Sequence, residues 1–438
     1  MSFFQKRIDN SALVLFRICF GILMAWQSFC YLQNGWIRRN LTSPEFTFSH
    51  IGMEWLQPLP GNGMNWYFAV MGISALCVAI GFRYRFSIFV LTFLWSGIYF
   101  MQKTVYNNHF YLLILIGLLL LFMPANAYAS LDARNPKIKS LSMPAWCGWV
   151  MILQMAIVYF FASVAKLYPG WLNGSYVAIV LTRYSHVPGL SFFADHWFHV
   201  FIAWTGMLFD LIVIPMFLFR RTRLLALLAS ILFHTFNFFT LKIGIFPFLA
   251  LSFAVFFFEP ESIRRVFFWK KPTFVSDVEP PISIRNKNVL LYFFLPYFII
   301  QLILPIRHWF IKGDVLWTEE GHRLSWRMML RHRTGSIVFH VIDAKTGQPI
   351  TYDVTAHLTP RQFKNMLGHP DMIWQTAQHI KSEFQKQGTE VRVFVDALCS
   401  VNKQPSRLLI DRKVDLAHAD WNYFGHCDWI LLYPETSD

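Results

Sequence analysis

The sequence predicts a mainly α-helical protein, a polytopic membrane bundle of about nine spans with a C-terminal α+β extramembrane domain. Hydrophobic residues make up 55% of the chain and charged residues only 15%. Uncharged runs close to the roughly 20 residues that cross a bilayer recur through the first two-thirds of the chain. After Pro305 these runs give way to shorter alternating and helical patterns. Residues 1–305 are therefore predicted to form the membrane domain and residues 306–438 the extramembrane domain.

The apolar runs define the candidate spans. The first run is too long for a cleaved signal peptide and lacks a small-residue cleavage site, so we expect it to be a span. The third and the eighth are short, and we expect them to be tilted, partly interfacial or re-entrant. The predicted spans are residues 12–32, 65–82, 86–102, 109–124, 146–166, 198–218, 223–241, 243–258 and 289–305.

The net charge of +14 lies almost wholly in the membrane part, which argues for membrane lipid and against nucleic acid as a partner. Residues 1–305 hold 23 Lys and Arg against 10 Asp and Glu, whereas residues 306–438 hold 16 against 15. Alternate connecting segments carry 16 of the basic residues on one side of the membrane and six on the other. Because cytoplasmic loops are enriched in Lys and Arg, the amino terminus is predicted to be cytoplasmic. Nine spans then place the C-terminal domain in the periplasm or lumen, with a bacterial inner membrane favoured.

The C-terminal domain shows the patterns of a small α+β fold. Residues 336–354 predict two strands around a Lys-Thr-Gly turn, residues 360–388 predict helix, and residues 391–401 predict a third strand. The proline-containing segment 270–288 is interpreted as a cytoplasmic loop between the eighth and ninth spans.

The sequence offers little support for metal, nucleotide or acyl-serine chemistry. Six scattered cysteines without metal-ligand spacing are interpreted mainly as small buried residues, and a disulfide between Cys399 and Cys427 is left open. His196 and His199 form one HxxH pattern, whereas membrane di-iron sites need several, so we expect no metal cofactor. Neither a Gly-rich phosphate loop nor a GxSxG or HExxH motif is present.

Lys166 is the most informative residue of the chain. It closes the apolar run 156–165, where an ammonium is costly to place and readily deprotonated. One interpretation is a catalytic base in an apolar site. The alternative is a lysine that reaches to the lipid headgroups, as lysines at helix ends commonly do. Tyr159 and Ser163 lie seven and three residues before Lys166, so one face of the same helix carries polar groups toward the amine.

Further polar residues collect at the same predicted end of the spans. Such groups are expensive near lipid, so their convergence favours a functional site over separate structural roles. Each one alone also has a structural explanation, as an interfacial or core histidine or as a headgroup-binding arginine. The candidates are Tyr106, Asn108 and His109 before or within the fourth span, Arg183 after the fifth, His234 and Asn237 on one face of the seventh, and His308, Trp326 and Arg333 after the ninth.

These segments together resemble the vitamin K-dependent γ-glutamyl carboxylase family. The resemblance runs in order from about residue 11 to residue 435. The matching segments are LFRICFG (15–21), KTVYNNHFYL (103–112), FFASVAKLYPGW (160–171), LTRY (181–184), FHTFNFFTLKIGIF (233–246), LPIRHWF (304–310), SWRMMLRHR (325–333) and LLIDRKVDLAHADW (408–421).

The resemblance implies a γ-carboxylase coupled to epoxidation. Reduced vitamin K, as phylloquinol or menaquinol, would be oxygenated by O2 to give a base that removes the γ-proton of a peptide glutamate, and the carbanion would capture CO2. Lys166 matches the family's base, which deprotonates the hydroquinone. The protein would supply a dry cavity and orientation.

The same resemblance assigns roles to the remaining candidates. His109 and His234 would act with Lys166 in catalysis, and Arg183 and Arg333 would hold the glutamate carboxylate, for which a guanidinium offers two parallel donors. The substrate site would also include His308, Trp326, Asn108 and Tyr106, and the cofactor site would include Lys166, Asn237 and Tyr159.

The chain also departs from the family pattern. Ala165 replaces a second lysine, Arg327 replaces an acidic residue, and Tyr106 stands where the animal enzymes have tryptophan. The disulfide of the animal enzymes has no counterpart, because residues 42–58 and 375–383 contain no cysteine. We interpret the chain as a short bacterial member, with two alternatives: an epoxidase without carboxylation, or a non-catalytic membrane binding protein.

Overall fold

The computed structural model of the chain describes residues 6–241, 243–275, 284–328 and 330–433. Lys242, counted above among the basic residues, and much of the predicted loop 270–288 lie outside the described residues. Helices form most of the first two-thirds of the chain, and a four-stranded sheet with four helices follows. The predicted helical membrane bundle with a C-terminal α+β domain is thus confirmed.

The helices of the bundle follow the apolar runs. They are α1 (Ser11–Gln33), α2 (Gly63–Ile80), α3 (Tyr84–Met101), α4 (Asn108–Phe122), α5 (Trp146–Val164), α6 (Pro169–Leu172), α7 (Ser175–Leu181), α8 (His196–Leu218), α9 (Arg223–Leu241), α10 (Phe246–Ser252), α11 (Pro260–Phe267), α12 (Ile284–Val289) and α13 (Leu295–Ile306). Two π-helical turns, Arg38–Thr42 and Leu290–Phe294, and 3-10 turns such as Phe253–Phe256 and Arg307–Phe310 extend or connect them.

Seven helices of the described residues are long and apolar enough to cross a membrane. They match seven of the nine predicted spans: α1, α2, α3, α5, α8, α9 and the continuous helical stretch Lys287–Phe310. The eighth predicted span, 243–258, corresponds to the short stretch Phe246–Phe256, which meets Pro260–Phe267 at 119° as in a broken span or a re-entrant loop. The break has a local cause: Glu259 precedes a proline, which disfavours the helical conformation, and its backbone is extended.

The short span is the fourth rather than the third. Helix α3, which we expected to be short, has 18 residues, whereas α4 has 15. The side chain of Asn107 caps α4 by accepting a hydrogen bond from the Phe110 backbone N–H at 2.8 Å. Pro124 follows the other end, where Met123 is already extended.

The C-terminal domain is built on one long antiparallel strand pair. Strand β3 (Arg333–Asp343) pairs along its whole length with β5 (Val391–Val401), and the sheet order is β4-β3-β5-β6. The remaining elements are α14 (Val315–Thr318), β4 (Pro349–Ile350), α15 (Val354–His357), α16 (Pro360–Met366), α17 (Pro370–Lys386) and β6 (Arg407–Leu408). Two further strands, β1 (Arg7–Asp9) and β2 (Ser142–Pro144), pair at the opposite end of the bundle.

The C-terminal domain packs onto the loops at one end of the bundle. Phe48, from the loop between α1 and α2, lies fully buried in the hydrophobic core of the domain. Gln375 of α17 donates a hydrogen bond to the Ser49 carbonyl at 3.0 Å. A cleft of about 680 Å³ remains between this loop and α17, and Phe46, Glu54 and Trp374 are among the residues that line it.

A buried charge cluster fastens this end of the bundle to the domain. Lys103, between α3 and α4, donates to Asp371 of α17 at 2.6 Å, and Arg323 donates to the same carboxylate at 2.6 Å. Burial lowers the pKa of Lys103 to about 8, while the charge of Asp371 acts to raise it. Burial alone would raise the pKa of Asp371, but Arg323 and Lys103 hold it well below its ordinary range. The Asp371 carboxylate is therefore ionised and forms ion pairs with both Lys103 and Arg323.

We predict that Asp371→Asn destabilises the protein by about 3–5 kcal/mol, because it leaves two buried cations without a counter-ion. The measurement is unfolding of the purified protein in detergent. Glu259→Gln is the control, since Glu259 pairs with Arg220 on the surface at 2.9 Å and such pairs contribute about 0–1 kcal/mol. Equal losses in the two variants would contradict the proposed anchoring role of Asp371.

Candidate functional site

The end of the fifth membrane helix directs Lys166 into the bundle. Helix α5 ends at Val164, and Pro169 opens a new helical turn a few residues later, so the chain turns at the lysine. The Lys166 side chain is only 9% exposed, and its ammonium nitrogen forms an ion pair with the Asp210 carboxylate of α8. The amine also lies 5.4 Å from the centre of the Trp171 ring. Lys166 is therefore buried beside a carboxylate rather than extended to the lipid headgroups.

Sequence reasoning missed Asp210. Its side chain is 6% exposed and lies within the long apolar helix α8. A sequence signal was available, because Asp210 is the one acidic residue inside any of the nine predicted spans. An ionisable group within a membrane helix marks a paired or functional position.

A second polar pair lies beside the first. The Tyr159 hydroxyl is 2.9 Å from His234 Nε2, which joins α5 to α9. Both side chains are buried, and Nδ1 of His234 has no hydrogen-bond partner within the described part of the chain. The Ser163 hydroxyl donates to the Met207 carbonyl of α8 at 3.0 Å. The predicted polar face of α5 thus points at α8 and α9. We call Lys166, Asp210, Tyr159 and His234 the amine cluster.

Aromatic and apolar side chains surround the amine cluster. Phe246 lies between two histidines, with its ring centre 5.5 Å from that of His109 and 6.0 Å from that of His234. Deeper in the bundle, Tyr159 and Phe217 border a cavity of about 10 Å³ together with Ser230, whose buried hydroxyl has no hydrogen-bond partner among the residues that the structure describes. Asn237 lies one turn beyond His234 on α9 and is partly buried. A ligand here would meet mainly hydrocarbon and ring surfaces.

His308 belongs to a separate polar group, which we call the histidine–arginine cluster. Arg327 approaches His308 Nε2 at 3.3 Å, while Nδ1 of that ring lies 2.8 Å from the Pro305 carbonyl. Asn108 donates to the Arg327 carbonyl at 3.0 Å, and the Tyr106 hydroxyl donates to Asn108 at 3.1 Å. Burial lowers the pKa of Arg327 to about 10, which leaves the guanidinium charged at neutral pH.

Trp326 is held in the same segment by an unusual backbone. Its φ of 56° lies in the left-handed region, and its side chain is fully buried. The indole ring stacks on Tyr111 at 5.0 Å between centres, and Gln301 of α13 donates to the Tyr111 hydroxyl at 2.8 Å. Trp326 therefore contributes a rigid aromatic wall at the junction of α4 and α13.

The two arginines predicted to hold a carboxylate differ in their surroundings. Arg333 is buried, and its terminal nitrogens donate to the carbonyls of Leu316 at 2.6 Å and Trp317 at 2.9 Å and to Glu319 at 3.3 Å. Arg183 is exposed and donates to the Thr240 carbonyl at the end of α9 at 3.1 Å. That Arg333 and Arg183 bind the glutamate carboxylate stays a prediction, and Arg183 is the more accessible of the two.

Glu319 lies at the centre of a third group, the carboxylate cluster. Arg331 forms a two-point ion pair with Glu319, and its third nitrogen lies 2.6 Å from His322 Nε2. Burial alone would raise the pKa of Glu319, but Arg331, His322 and Arg333 hold it well below its ordinary range. Burial lowers the pKa of His369, whose Nδ1 lies 2.5 Å from the Asn365 carbonyl, to about 4. This cluster fixes the segment that carries Trp326 and Arg333.

Other predicted features have structural partners. His199 of the HxxH pattern bonds the Phe193 carbonyl at 2.7 Å. No group of three or more His, Cys, Asp or Glu is arranged to hold a metal ion within the part of the chain that the structure describes. All six cysteines are free thiols, so Cys399 and Cys427 do not pair. The chemistry that the described groups support is proton transfer in an apolar interior.

Comparison with known families divides the chain into two matched regions. A family model described as HTTM domain matches residues 5–261. A second, described as vitamin K-dependent gamma-carboxylase, lumenal domain, matches residues 286–436. No solved structure matches the chain.

We predict that His369 makes the C-terminal domain sensitive to acid. An unfolded histidine takes up a proton near pH 6.5, whereas His369 does so only near pH 4 in the fold, so stability falls as the pH drops between these values. The expected loss from this group is about 3 kcal/mol between pH 7 and pH 4. His369→Gln should reduce the difference in unfolding midpoint between the two pH values, and His186→Gln, at an exposed loop position, should not. An unchanged difference in His369→Gln would contradict the assignment.

Proposed function

Because the chain belongs to the vitamin K-dependent γ-carboxylase family, we propose that it γ-carboxylates glutamate in a peptide or protein substrate and couples this to epoxidation of reduced vitamin K. The observation that carries the proposal is the buried Lys166 amine, paired with Asp210 and adjoining the Tyr159–His234 pair. An amine in an apolar interior can act as a general base once it is neutral, and lysine is suited to that role.

The surroundings of the amine suit a quinol with an apolar tail. Ring surfaces of Phe246 and Trp171 flank the amine cluster, and the cavity bordered by Tyr159 and Phe217 has only about 10 Å³, so a quinol ring would have to displace side chains there. Lys166 and Tyr159 would hold the quinol oxygens, and Asn237 would lie further along the same site. When bound, reduced vitamin K would supply, through its oxygenation by O2, the strong base that removes the glutamate γ-proton. Lys166 takes the proton of a quinol hydroxyl, and the surrounding side chains exclude water.

The glutamate is proposed to bind between the bundle and the C-terminal domain. His308, Asn108 and Tyr106 lie in one hydrogen-bonded group there, and Arg327 brings a buried positive charge to it. Arg183 is proposed to contact the carboxylate from the exposed side, and His109 to act nearest the carbon that receives CO2. What supports this arrangement is that Leu330 lies beside the chain neighbours of Lys166: the Tyr168 hydroxyl donates to the Leu330 carbonyl, and Leu330 belongs to the same hydrophobic group as Ala165.

The site is proposed to face the periplasm or lumen. Lys166, Lys103 and the loop between α1 and α2 lie at the end of the bundle that carries the C-terminal domain. The opposite end contains β1, β2 and Lys271, and the segments at that end carry most of the basic residues. The positive-inside rule supports a cytoplasmic position for the basic end. Exposed apolar side chains on α9 and other helices suit contact with lipid.

We predict that Lys166→Ala abolishes product formation. Purified protein would be incubated with reduced vitamin K, labelled CO2 and a glutamyl peptide, and both epoxide and peptide label would be measured. Loss of a general base typically lowers the rate by about 100- to 10,000-fold. Lys312→Ala, which removes an exposed lysine near the same end of the bundle, is the matched control and should retain activity. Peptide labelling that survives Lys166→Ala would refute the assignment of the base.

One observation favours a second candidate function, a vitamin K epoxidase without carboxylation. Arg327 stands where the resemblance expects an acidic residue, and its guanidinium lies 3.3 Å from His308. Such a change would alter the glutamate side of the site and leave the amine cluster intact. Epoxide formation without peptide label, for a series of glutamyl peptides, would establish this second function.

A further inference from the structure

Asp210, the ion-pair partner of Lys166, is neither the base nor a substrate ligand in the proposed reaction. Asp210 contributes a carboxylate to the interior of a membrane bundle, where an unpaired charge would be strongly destabilising. Asp210 is the one acidic residue within the nine predicted spans, and it forms an ion pair with Lys166, the proposed base. A hydrophobic residue would pack in α8 at lower cost, so the carboxylate calls for an explanation in terms of Lys166.

We propose that Asp210 is a positioning residue for proton transfer: its carboxylate holds the Lys166 amine inside the bundle and stabilises the ammonium that forms there. The proposal rests on the proposed function only for its catalytic consequence. The geometry that carries it is the burial of both side chains, 9% and 6% exposed, and the direct contact between ammonium nitrogen and carboxylate oxygen.

The position of the pair explains why a carboxylate is needed. Lys166 follows the end of α5 and could otherwise turn toward the membrane surface. Two contacts join the end of α5 to α8: Lys166 pairs with Asp210, and Ser163 donates to the Met207 carbonyl. The amine is thereby held in the bundle with Tyr159 and His234 and 5.4 Å from the Trp171 ring.

The proton balance of the step is simple. The neutral amine of Lys166 accepts the proton of a quinol hydroxyl. The O–H bond of the quinol breaks and an N–H bond forms on Lys166, while Asp210 keeps its negative charge. The carboxylate thus favours the protonated product of the transfer.

Other titratable groups face the pair and have to be considered as contributors to its pH dependence. Tyr159 lies on α5 and His234 on α9, and His109 of α4 lies beyond Phe246. On the side of the C-terminal domain, Tyr168 contacts the Leu330 carbonyl and Tyr176 stacks on Trp171. Asp210 is the group that contacts the amine directly, so removal of its charge should have the largest effect.

The test measures the protonation of Lys166 without requiring turnover. Acetic anhydride, a small reagent that acylates neutral amines, would be applied briefly to the full-length protein between pH 6 and pH 10, and acetylation of Lys166 would be followed by peptide mass spectrometry. Asp210→Asn should move the rise in Lys166 acetylation to lower pH, with about tenfold faster modification near neutral pH. Acetylation of the exposed Lys312 provides an internal reference.

Asp195→Asn is the matched control, because it removes an exposed carboxylate at the start of the same helix α8. Its acetylation profile should coincide with that of the unmodified protein. Identical Lys166 profiles in the unmodified protein and in Asp210→Asn would overturn the proposal. In active protein, Asp210→Asn should also lower kcat and move the rising limb of the pH–rate profile to lower pH, whereas a purely structural residue would leave that limb in place.

A second measurement does not depend on recovery of folded Asp210→Asn. Dicyclohexylcarbodiimide modifies protonated carboxyl groups in apolar surroundings. Asp210 should resist it at neutral pH in the unmodified protein and react in Lys166→Met, where the carboxylate has lost its cation. Equal reactivity in both proteins would overturn the proposal. Failure of the proposed function would be seen separately, as the absence of epoxide and of peptide label from the unmodified protein.

Discussion

A charge that is buried away from water needs a partner within the protein, and several such pairs join distant parts of this chain. Lys103 and Arg323 meet Asp371 where the bundle contacts the C-terminal domain, and Lys166 meets Asp210 between two membrane helices. At the opposite end, Lys271 donates to Asp9 at 2.7 Å, and Arg17 donates to the carbonyl groups of Ala79 and Ala125. Hydrophobic burial alone would tolerate rotation and sliding of apolar helices in lipid, because lipid and helix surfaces are alike. The buried charges remove that freedom, since each has few positions in which it is satisfied.

The membrane architecture could be predicted from the sequence because hydropathy reflects a strong physical requirement. The inward polar face formed by Tyr159 and Ser163 followed from helical spacing, whereas the burial of Lys166 was one of two alternatives that the sequence left open. The partner of Lys166 was within reach as well, since a lone acidic residue in an apolar span is itself a signal. The contact between Tyr159 and His234 could not be predicted from the sequence, because it depends on how two helices cross. The ion pair between Arg333 and Glu319 could not be predicted either, because contacts between irregular segments produce no periodic pattern in the sequence.

The three polar clusters divide the labour of the proposed reaction. The amine cluster is enclosed by α5, α8 and α9, whereas the histidine–arginine cluster joins Asn108 of α4, His308 just after α13, and Arg327. The carboxylate cluster lies nearby, where Glu319 pairs with Arg331 and Arg333. A lipid-soluble quinol and a water-soluble peptide would thus approach from different directions. Proton transfer from the quinol would take place in the membrane interior, and the glutamate would remain at the rim.

Helix α9 carries His234 into the amine cluster, yet only 22% of its most apolar stretch is buried within the protein. Side chains such as Leu232 and Phe239 lie on its outer surface, 74% and 69% exposed. Lipid would therefore cover the outer face of the helix that carries His234, so the bilayer would complete the surroundings of the amine cluster. Extraction into short-chain detergents would be expected to loosen this wall before the bundle unfolds, so preparations can lose activity while they still look folded. Lipid nanodiscs are accordingly the appropriate medium in which to judge whether the chain is an enzyme.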